Sequence, residues 1–269
     1  MKYFIGVDIG STTIKIVLVD EEGNMVDKIA SPTGSMFNKN AMNALNMLLK
    51  MNQISLDDVL YIVSTGYGRK LFKIANENVN ELTANAMGAR NSLGEDIKVR
   101  TIINVGGQDT KVIMLNEDGK IANFFMNDKC AAGTGKFLDI SARNLEIEVD
   151  QLEVLHFQAK DSPLPINSIC AVFAESEIIS LLAAGHKSAE IASGIHYSIA
   201  KRIARMAGRR RIEDAVLFDG GTALNKGMVE ALENELMRPV YVNPFPQFTT
   251  AYGAALLAKE RYELEKDNL

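Results

Sequence analysis

The chain has 269 residues, 47% hydrophobic and 23% charged, with a net charge of −5 and a pI near 5.4. That length is enough for one large domain or two ordinary ones, and the acidic balance excludes a general nucleic-acid binder, which needs a basic footprint. No apolar run approaches a membrane span. The one basic run, Arg209-Arg210-Arg211, reads as a solvated helix end. Met1–Val7 is too short, and too soon interrupted by Asp8, to be a signal peptide. A cytoplasmic location is expected, and there a disulfide between the only two cysteines, Cys130 and Cys170, is not.

In chain order, strands are expected over 2–8, 14–19 and 25–30, with Asp8-Ile9-Gly10-Ser11-Thr12-Thr13 as the first turn. Helical patterns follow at 38–51, 68–76 and 81–94, with a strand at 59–64 between the first two. Residues 104–121 then lie over residues 8–25 at a constant offset of 96 without a gap. Gly106 falls on Gly10, Lys111 on Lys15, Glu117 on Glu21 and Gly119 on Gly23. A strand–turn–strand–turn unit used twice says more about architecture than any single propensity. Later helices are expected near 136–145, 149–157, 174–184, 187–207, 224–237 and 249–265, and strands at 215–218 and 240–242. This is an α/β chain of two related lobes. Lobe I takes 1–95 plus 247–269 and lobe II takes 96–246, with the crossings at 81–94 and 243–246.

Three glycine-bearing turns stand at strand ends. Asp8-Ile9-Gly10-Ser11-Thr12-Thr13 offers a carboxylate, a backbone open to close approach and three hydroxyls. Gly106-Gly107-Gln108-Asp109-Thr110 repeats that surface with other polar groups, and Gly220-Gly221 follows a strand and precedes a helix. Phosphate needs N–H and O–H donors in a concave turn, and Mg²⁺ needs a nearby carboxylate, usually through water. Asp, Gly, Ser and Thr are also ordinary turn residues; the repetition and order of the turns favour a nucleotide site.

Both cysteines stand at helix starts. Cys130 opens Cys130-Ala131-Ala132-Gly133-Thr134-Gly135-Lys136, and Cys170 precedes Ala171–Glu177. Backbone N–H groups beside a thiolate suit an anion or a thiolate-held metal. An iron–sulfur cluster normally takes four thiolates, and a symmetric dimer would bring two copies of each cysteine to one axis. The residues alone leave three readings open: a shared [4Fe-4S] cluster, a zinc bridge, or two reduced cysteines serving as small hydrophobes.

The order of the turns resembles that of the actin/sugar kinase/heat-shock-70 ATPase superfamily, with 8–15 and 104–112 as its phosphate motifs and 216–225 as its adenosine motif. A two-lobed actin-like fold, a ribonuclease-H-like unit duplicated, is what this implies. A narrower resemblance covers nearly the whole chain, to the ATP-dependent activators of (R)-2-hydroxyacyl-CoA dehydratases, that of 2-hydroxyglutaryl-CoA above all. It rests on Asp8–Thr12, Thr65-Gly66-Tyr67-Gly68-Arg69, Gly106–Asp109, Met126–Gly135, Val172–Glu177 after Cys170, Gly220-Gly221 and Gly253-Ala254-Ala255.

The resemblance implies a homodimer bridged by one [4Fe-4S] cluster on Cys130 and Cys170 of both copies. Ferredoxin or flavodoxin would reduce it, and ATP hydrolysis would drive one electron to the dehydratase. Asp8, Gln108 and Asp109 would be catalytic, with Asp8 and Asp109 near Mg²⁺ through water. ATP or ADP would meet Gly10, Ser11, Thr12, Thr13, Lys15, Gly106, Gly107, Gly133, Thr134, Gly220, Gly221 and Asn225. No nucleic acid and no membrane is expected as a partner. Relatives serving benzoyl-CoA-type reductases or double-cubane cluster proteins, and a sugar or small-acid kinase, are the alternatives. Asn104 stands where the family pattern has aspartate, Asn85 where histidine is common, and Asp219 and Thr222 flank Gly220-Gly221 where neutral or apolar residues are usual. His156, His186 and His196 show no metal-ligand spacing.

Overall fold

Tyr3–Ile9 forms β1, the central strand of a five-stranded sheet. Its Phe4, Ile5, Val7 and Ile9 are all buried, the pattern of a strand covered on both faces. The computed structural model describes residues 2–94, 96–127, 130–160, 162–166, 170–208 and 211–267. Asp128 and Lys129 of the cysteine loop, and Arg209 and Arg210 of the basic run, lie outside the described residues. The chain divides into two units: Met1–Lys98 with Gly119–Ile121 and Gln247–Leu269, and Val99–Asp118 with Ala122–Pro246.

In the first unit β1 pairs antiparallel with β2 (Thr13–Val19) and parallel with β4 (Val59–Thr65). β3 (Met25–Pro32) and β5 (Glu77–Asn78) form the edges, giving the order β3-β2-β1-β4-β5. The β3 residues alternate between half-buried and exposed, as an edge with one wet face should. Helix α1 (Phe37–Met51) joins β3 to β4 and buries Ala41, Ala44, Leu45, Leu48 and Leu49. Helix α8 (Thr249–Asp267) lies on the sheet at Gly6, where an added Cβ would stand 2.0 Å from the Ala251 carbonyl oxygen. Helix α2 (Glu81–Arg90) packs on α8 just as closely: a Cβ on Gly253 would stand 1.8 Å from the Ala84 carbonyl oxygen.

The second unit repeats this plan. β6 (Thr101–Val105) pairs antiparallel with β7 (Thr110–Leu115) and parallel with β9 (Val216–Asp219). With β8 (Ile121–Asn127) and β10 (Val240–Tyr241) the order is β10-β9-β6-β7-β8, the first sheet's order read from its other edge. Register preserves the repeat: Asp8 faces Lys15 in the first unit, and Asn104 faces Lys111 in the second. The helices of this unit are α3 (Gly135–Asn144), α4 (Gln151–Gln158), α5 (Ala171–Ala183), α6 (Ser188–Ala207) and α7 (Lys226–Leu236). Along α6, Ile191, Ile195, Ile199 and Ile203 recur at four-residue spacing and are essentially fully buried. Each such side chain contributes about 1.5–3 kcal/mol.

Two expected helices are corrected. The segment 68–76 holds only a 3-10 turn, Arg69–Leu71, and a further turn at 73–74, where the Ala75 N–H meets the Phe72 carbonyl, before β5. Gly66 sits in the left-handed region at φ 84°, and a Cβ on Gly68 would meet Ile9 Cγ2 at 2.5 Å. Asn76 then bonds the β4 edge twice, its N–H to the Ile62 carbonyl and its Oδ1 to the Ile62 N–H. These tertiary bonds override the local pattern. Helix α2 stops at Arg90 and not 94, because Asn91, Ser92 and Gly94 are poor helix formers and the Asn91 N–H closes onto the Ala89 and Gly88 carbonyls.

Candidate functional site

The first turn follows β1. Asp8 is buried, and its Oδ2 lies 3.6 Å from Lys15 Nζ, its partner across the β1–β2 ladder. Gly10 N–H donates to the Thr13 carbonyl, and Thr33 takes the carbonyls of Gly10 and Thr12 through its hydroxyl and its N–H. With the carbonyls so occupied, Ser11 and Thr12 are exposed and Thr13 half-buried. Gly66 approaches Asp8 so closely that a Cβ there would stand 2.5 Å from Asp8 Oδ1. Only glycine suits that place, on grounds of both space and positive φ.

The second turn follows β6. Gly106 N–H donates to the Asp109 carbonyl, while Gly107 and Gln108 are exposed. Lys111, 3% exposed, donates from Nζ to Asp109 Oδ2 at 2.7 Å. A buried ammonium needs such a partner. Here the two turns differ: Lys15 pairs with a strand residue, Asp8, whereas Lys111 pairs within the turn. The strand position opposite Lys111 is Asn104, which bonds Asp219.

The third turn runs from Gly220 to Asn225. Gly220 has φ 88°, and a Cβ on it would stand 2.3 Å from the Val105 carbonyl oxygen. Thr222 Oγ1 donates to that same carbonyl. A Cβ on Gly221 would meet nothing within 4 Å. Asn225 caps α7, its Oδ1 accepting from the Met228 N–H at 3.1 Å, as a good N-cap residue does.

Cys130 precedes the 3-10 turn Ala131–Gly133, and Asn127 clasps its peptide on both sides: Oδ1 accepts from the Cys130 N–H and Nδ2 donates to the Cys130 carbonyl. Helix α3 starts five residues later, at Gly135. Its first N–H groups, of Gly135 and Lys136, donate to the carbonyls of Gly106 and Gly107, each at 2.9 Å. The Thr110 hydroxyl donates to the Gly133 carbonyl at 2.5 Å. The α3 N–H groups expected to face an anion beside Cys130 are thus partly taken by the second turn. The cysteine loop and that turn form one hydrogen-bonded structure, in which Thr134 is fully buried. A cavity of about 300 Å³ beside it is lined by Thr110, Asn127, Cys130, Gly133, Arg202 and Met206, among others.

Cys170 is the N-cap residue of α5 and is exposed; neither cysteine is in a disulfide. Val172, Phe173 and Ile179 of α5 are 66, 69 and 53% exposed. Among the described residues no three His, Cys, Asp or Glu side chains gather as a metal site. The donor chemistry fits half of a four-thiolate cluster: two thiols, each opening a helical turn, with further donors to come from outside the chain.

Sequence reasoning missed one cluster. His156 and His196 lie 40 positions apart, yet their Nδ1 atoms are 2.9 Å apart in the second unit. Burial pushes His196 down to about 3, with His156 adding to the fall, and burial also lowers His156 against the pull of Glu230. Both are neutral imidazoles.

A family model described as the BadF/BadG/BcrA/BcrD ATPase family matches residues 5–258. The activator of lactoyl-CoA dehydratase from Anaerotignum propionicum is 41% identical over 96% of this chain and 98% of its own. The 2-hydroxyisocaproyl-CoA dehydratase activator of Clostridioides difficile is 39% identical over 98% of each. A solved structure of the activator of the 2-hydroxyisocaproyl-CoA dehydratase from Clostridium difficile, with bound ADPNP, superposes with a TM-score of 0.92 at 37% identity, covering 99% of this chain and 98% of that one. The two-sheet architecture is that of actin-like ATPases. Among the described residues no helix is long and apolar enough to cross a membrane. By the match over residues 5–258 and the likeness to these relatives, the chain belongs to the BadF/BadG/BcrA/BcrD ATPase family.

Proposed function

We propose that this chain is an ATP-hydrolysing, one-electron donor that activates a 2-hydroxyacyl-CoA dehydratase. It works in the cytoplasm as a homodimer, with Cys130 and Cys170 of each copy holding one shared [4Fe-4S] cluster. The observation that carries this reading is the bonding of Gly135, Lys136 and Gly133 to Gly106, Gly107 and Thr110. A nucleotide turn and a cysteine loop built as one piece cannot rearrange independently. The relatives' names as dehydratase activators and the ADPNP in the matching structure support the substrate and the partner.

In the first unit Ser11, Thr12, Thr13 and Lys15 would offer hydroxyl, N–H and ammonium donors to phosphate, and in the second Gly107 would offer its N–H; Gly10 and Gly106, whose N–H groups close their own turns, would leave room for close approach. Asp8 and Asp109 are the carboxylates that would serve Mg²⁺, which would neutralise phosphate charge, and Gln108 would orient the attacking water. Lys111, bonded to Asp109 Oδ2, holds that carboxylate in place. Gly220, Gly221 and Asn225 receive the adenosine. Gly133 and Thr134 link the nucleotide turn to Cys130. The cluster, when bound, supplies one electron, received from ferredoxin or flavodoxin, at low potential. Cys130 and Cys170 would hold it as thiolates, each at the start of a helical turn, where negative charge is favoured.

The test is iron and acid-labile sulfide on anaerobically purified protein, with the visible spectrum before and after air. About four irons per dimer, bleaching in air, are expected, with loss of iron and retained ADP binding in Cys130→Ala and in Cys170→Ala. Zinc in place of iron, or full iron in either variant, would overturn the shared cluster. Activation of a 2-hydroxyacyl-CoA dehydratase that needs both ATP and reductant then tests the partner.

A further inference from the structure

We propose that His196 and His156 are positioning residues for the nucleotide, acting through Asn225. The proposal rests on the reading of the Gly220–Asn225 turn as an adenosine contact.

The two histidines come from different helices, His156 from α4 and His196 from α6, and both are buried. Their rings stand 4.8 Å apart at 49°, close enough for the 2.9 Å contact between the Nδ1 atoms. On its other side His196 Nε2 lies 3.2 Å from Asn225 Nδ2. His156 Nε2 lies 3.7 Å from Glu230 Oε1. Helix α7 presses onto the pair at Gly227, where an added Cβ would be 2.8 Å from both His156 Cγ and His196 Nδ1.

The helix cap sets the direction of every proton in this chain of contacts. Asn225 Oδ1 is taken by the Met228 N–H, so the atom turned toward His196 is the amide nitrogen, which only donates. His196 Nε2 therefore accepts. A neutral imidazole that accepts at Nε2 carries its proton on Nδ1, so His196 donates to His156 Nδ1. His156 in turn carries its proton on Nε2, facing Glu230. Two neutral histidines in this tautomeric order satisfy one another and leave Asn225 a single favourable orientation.

Asn225 is also the end of the third turn. Its own N–H donates to the Thr222 carbonyl, and the Thr222 hydroxyl donates to the Val105 carbonyl. Gly220 approaches that same carbonyl. A histidine on α6 thus reaches the end of β6 through one side chain and one turn. Without an acceptor at His196 the part-buried Asn225 Nδ2 is left unsatisfied, and the side chain at the end of the Gly220–Leu224 stretch loses one of its two anchors.

The test is ADP titration and steady-state ATP hydrolysis with the purified full chain. His196→Gln keeps an acceptor and a donor and should bind ADP within about two-fold of the parent. His196→Leu should raise the Kd for ADP and the KM for ATP by about ten-fold, the loss of one buried hydrogen bond, with kcat changed by less than about two-fold. Asn225→Ser still caps α7 but does not reach His196, so in that background His196→Leu should change the Kd by less than about two-fold. An unchanged Kd in His196→Leu, or an undiminished effect in the Asn225→Ser background, overturns the proposal. If His196→Leu does not fold, His196→Asn, too short to meet both partners, takes its place in the same cycle. Gly221→Val separates the two claims, since its side chain enters open space at the turn. Normal ADP binding by Gly221→Val dismisses the adenosine reading itself. Weakened binding there, with normal binding in His196→Leu, dismisses only the histidines.

Discussion

Asn104 Nδ2 donates a 2.8 Å hydrogen bond to Asp219 Oδ1, between residues that are registry neighbours on the parallel strands β6 and β9. Both side chains are buried. Each residue, taken singly, departs from the pattern expected from the resemblance; together they complement each other. A carboxylate at 104 would stand against a second carboxylate in a poorly solvated place. With an amide there, one charge is solvated by a donor, and Lys111 gives its ammonium to Asp109. Asn104→Asp is expected to lower stability by about 2–3 kcal/mol at neutral pH. Adding Asp219→Asn should recover most of the loss, because it restores one donor facing one carboxylate. Urea midpoints of the three variants measure this, and an Asn104→Asp protein as stable as its parent would count against the pair.

Thr110→Val keeps the shape of a buried strand residue and removes the donor to the Gly133 carbonyl. Stability should fall by about 1–2 kcal/mol. ADP should still bind, but, on the proposed cluster reading, any change that nucleotide causes in the visible spectrum of the protein reconstituted with iron and sulfide should be smaller than in the parent. A full-sized spectral change would show that the Thr110 contact does not transmit the nucleotide state.

The histidine pair makes stability pH-dependent in a defined direction. Both groups are held below the ordinary value of 6.5, His196 to about 3. Above about 6.5 neither the folded nor the unfolded chain protonates them, and they contribute no slope. As pH falls below 6.5 the unfolded chain takes up protons that the folded chain refuses, so stability drops. At about pH 5 the cost from His196 alone is about 2 kcal/mol. Urea midpoints from about pH 7 to about pH 5 in the parent and in His196→Gln should show a shallower fall in the variant. Parallel curves would sink this account.

Gly253 and Gly88 let α2 and α8 cross with backbones in contact. A Cβ on Gly253 meets the Ala84 carbonyl oxygen at 1.8 Å and the Gly88 nitrogen at 2.4 Å, both backbone atoms that have no room to yield. Gly253→Ala should cost about 2–3 kcal/mol despite the better helix propensity of alanine. A rise in melting temperature would mean that the helices separate more readily than this crossing implies.

The duplicated hairpin is legible in the chain because its signals are local. Alternating apolar residues, glycine at two turns and the constant offset of 96 all survive into matching registers, Asp8 with Lys15 and Asn104 with Lys111. Long helices such as α6 and α8 are legible for the same reason. The segment 68–76 is not, because Asn76 finds its hydrogen bonds on Ile62, fourteen residues away, and those bonds outweigh a weak helical pattern. Asn127 stands in the cysteine motif, but nothing local says that its amide clasps Cys130.

By itself the sequence determined the two-sheet α/β architecture, the positions of the glycine turns and the placement of each cysteine before a helical turn. These follow from periodicity, backbone permissiveness and capping, which act over a few residues. Only the tertiary structure decided that Asn104 answers Asp219, that His196 meets both His156 and Asn225, and that the α3 N-terminus bonds Gly106 and Gly107. Those partners are separated by roughly 30 to over 100 positions. A buried polar group must be satisfied by whatever the packing brings beside it, and packing is a property of the folded whole.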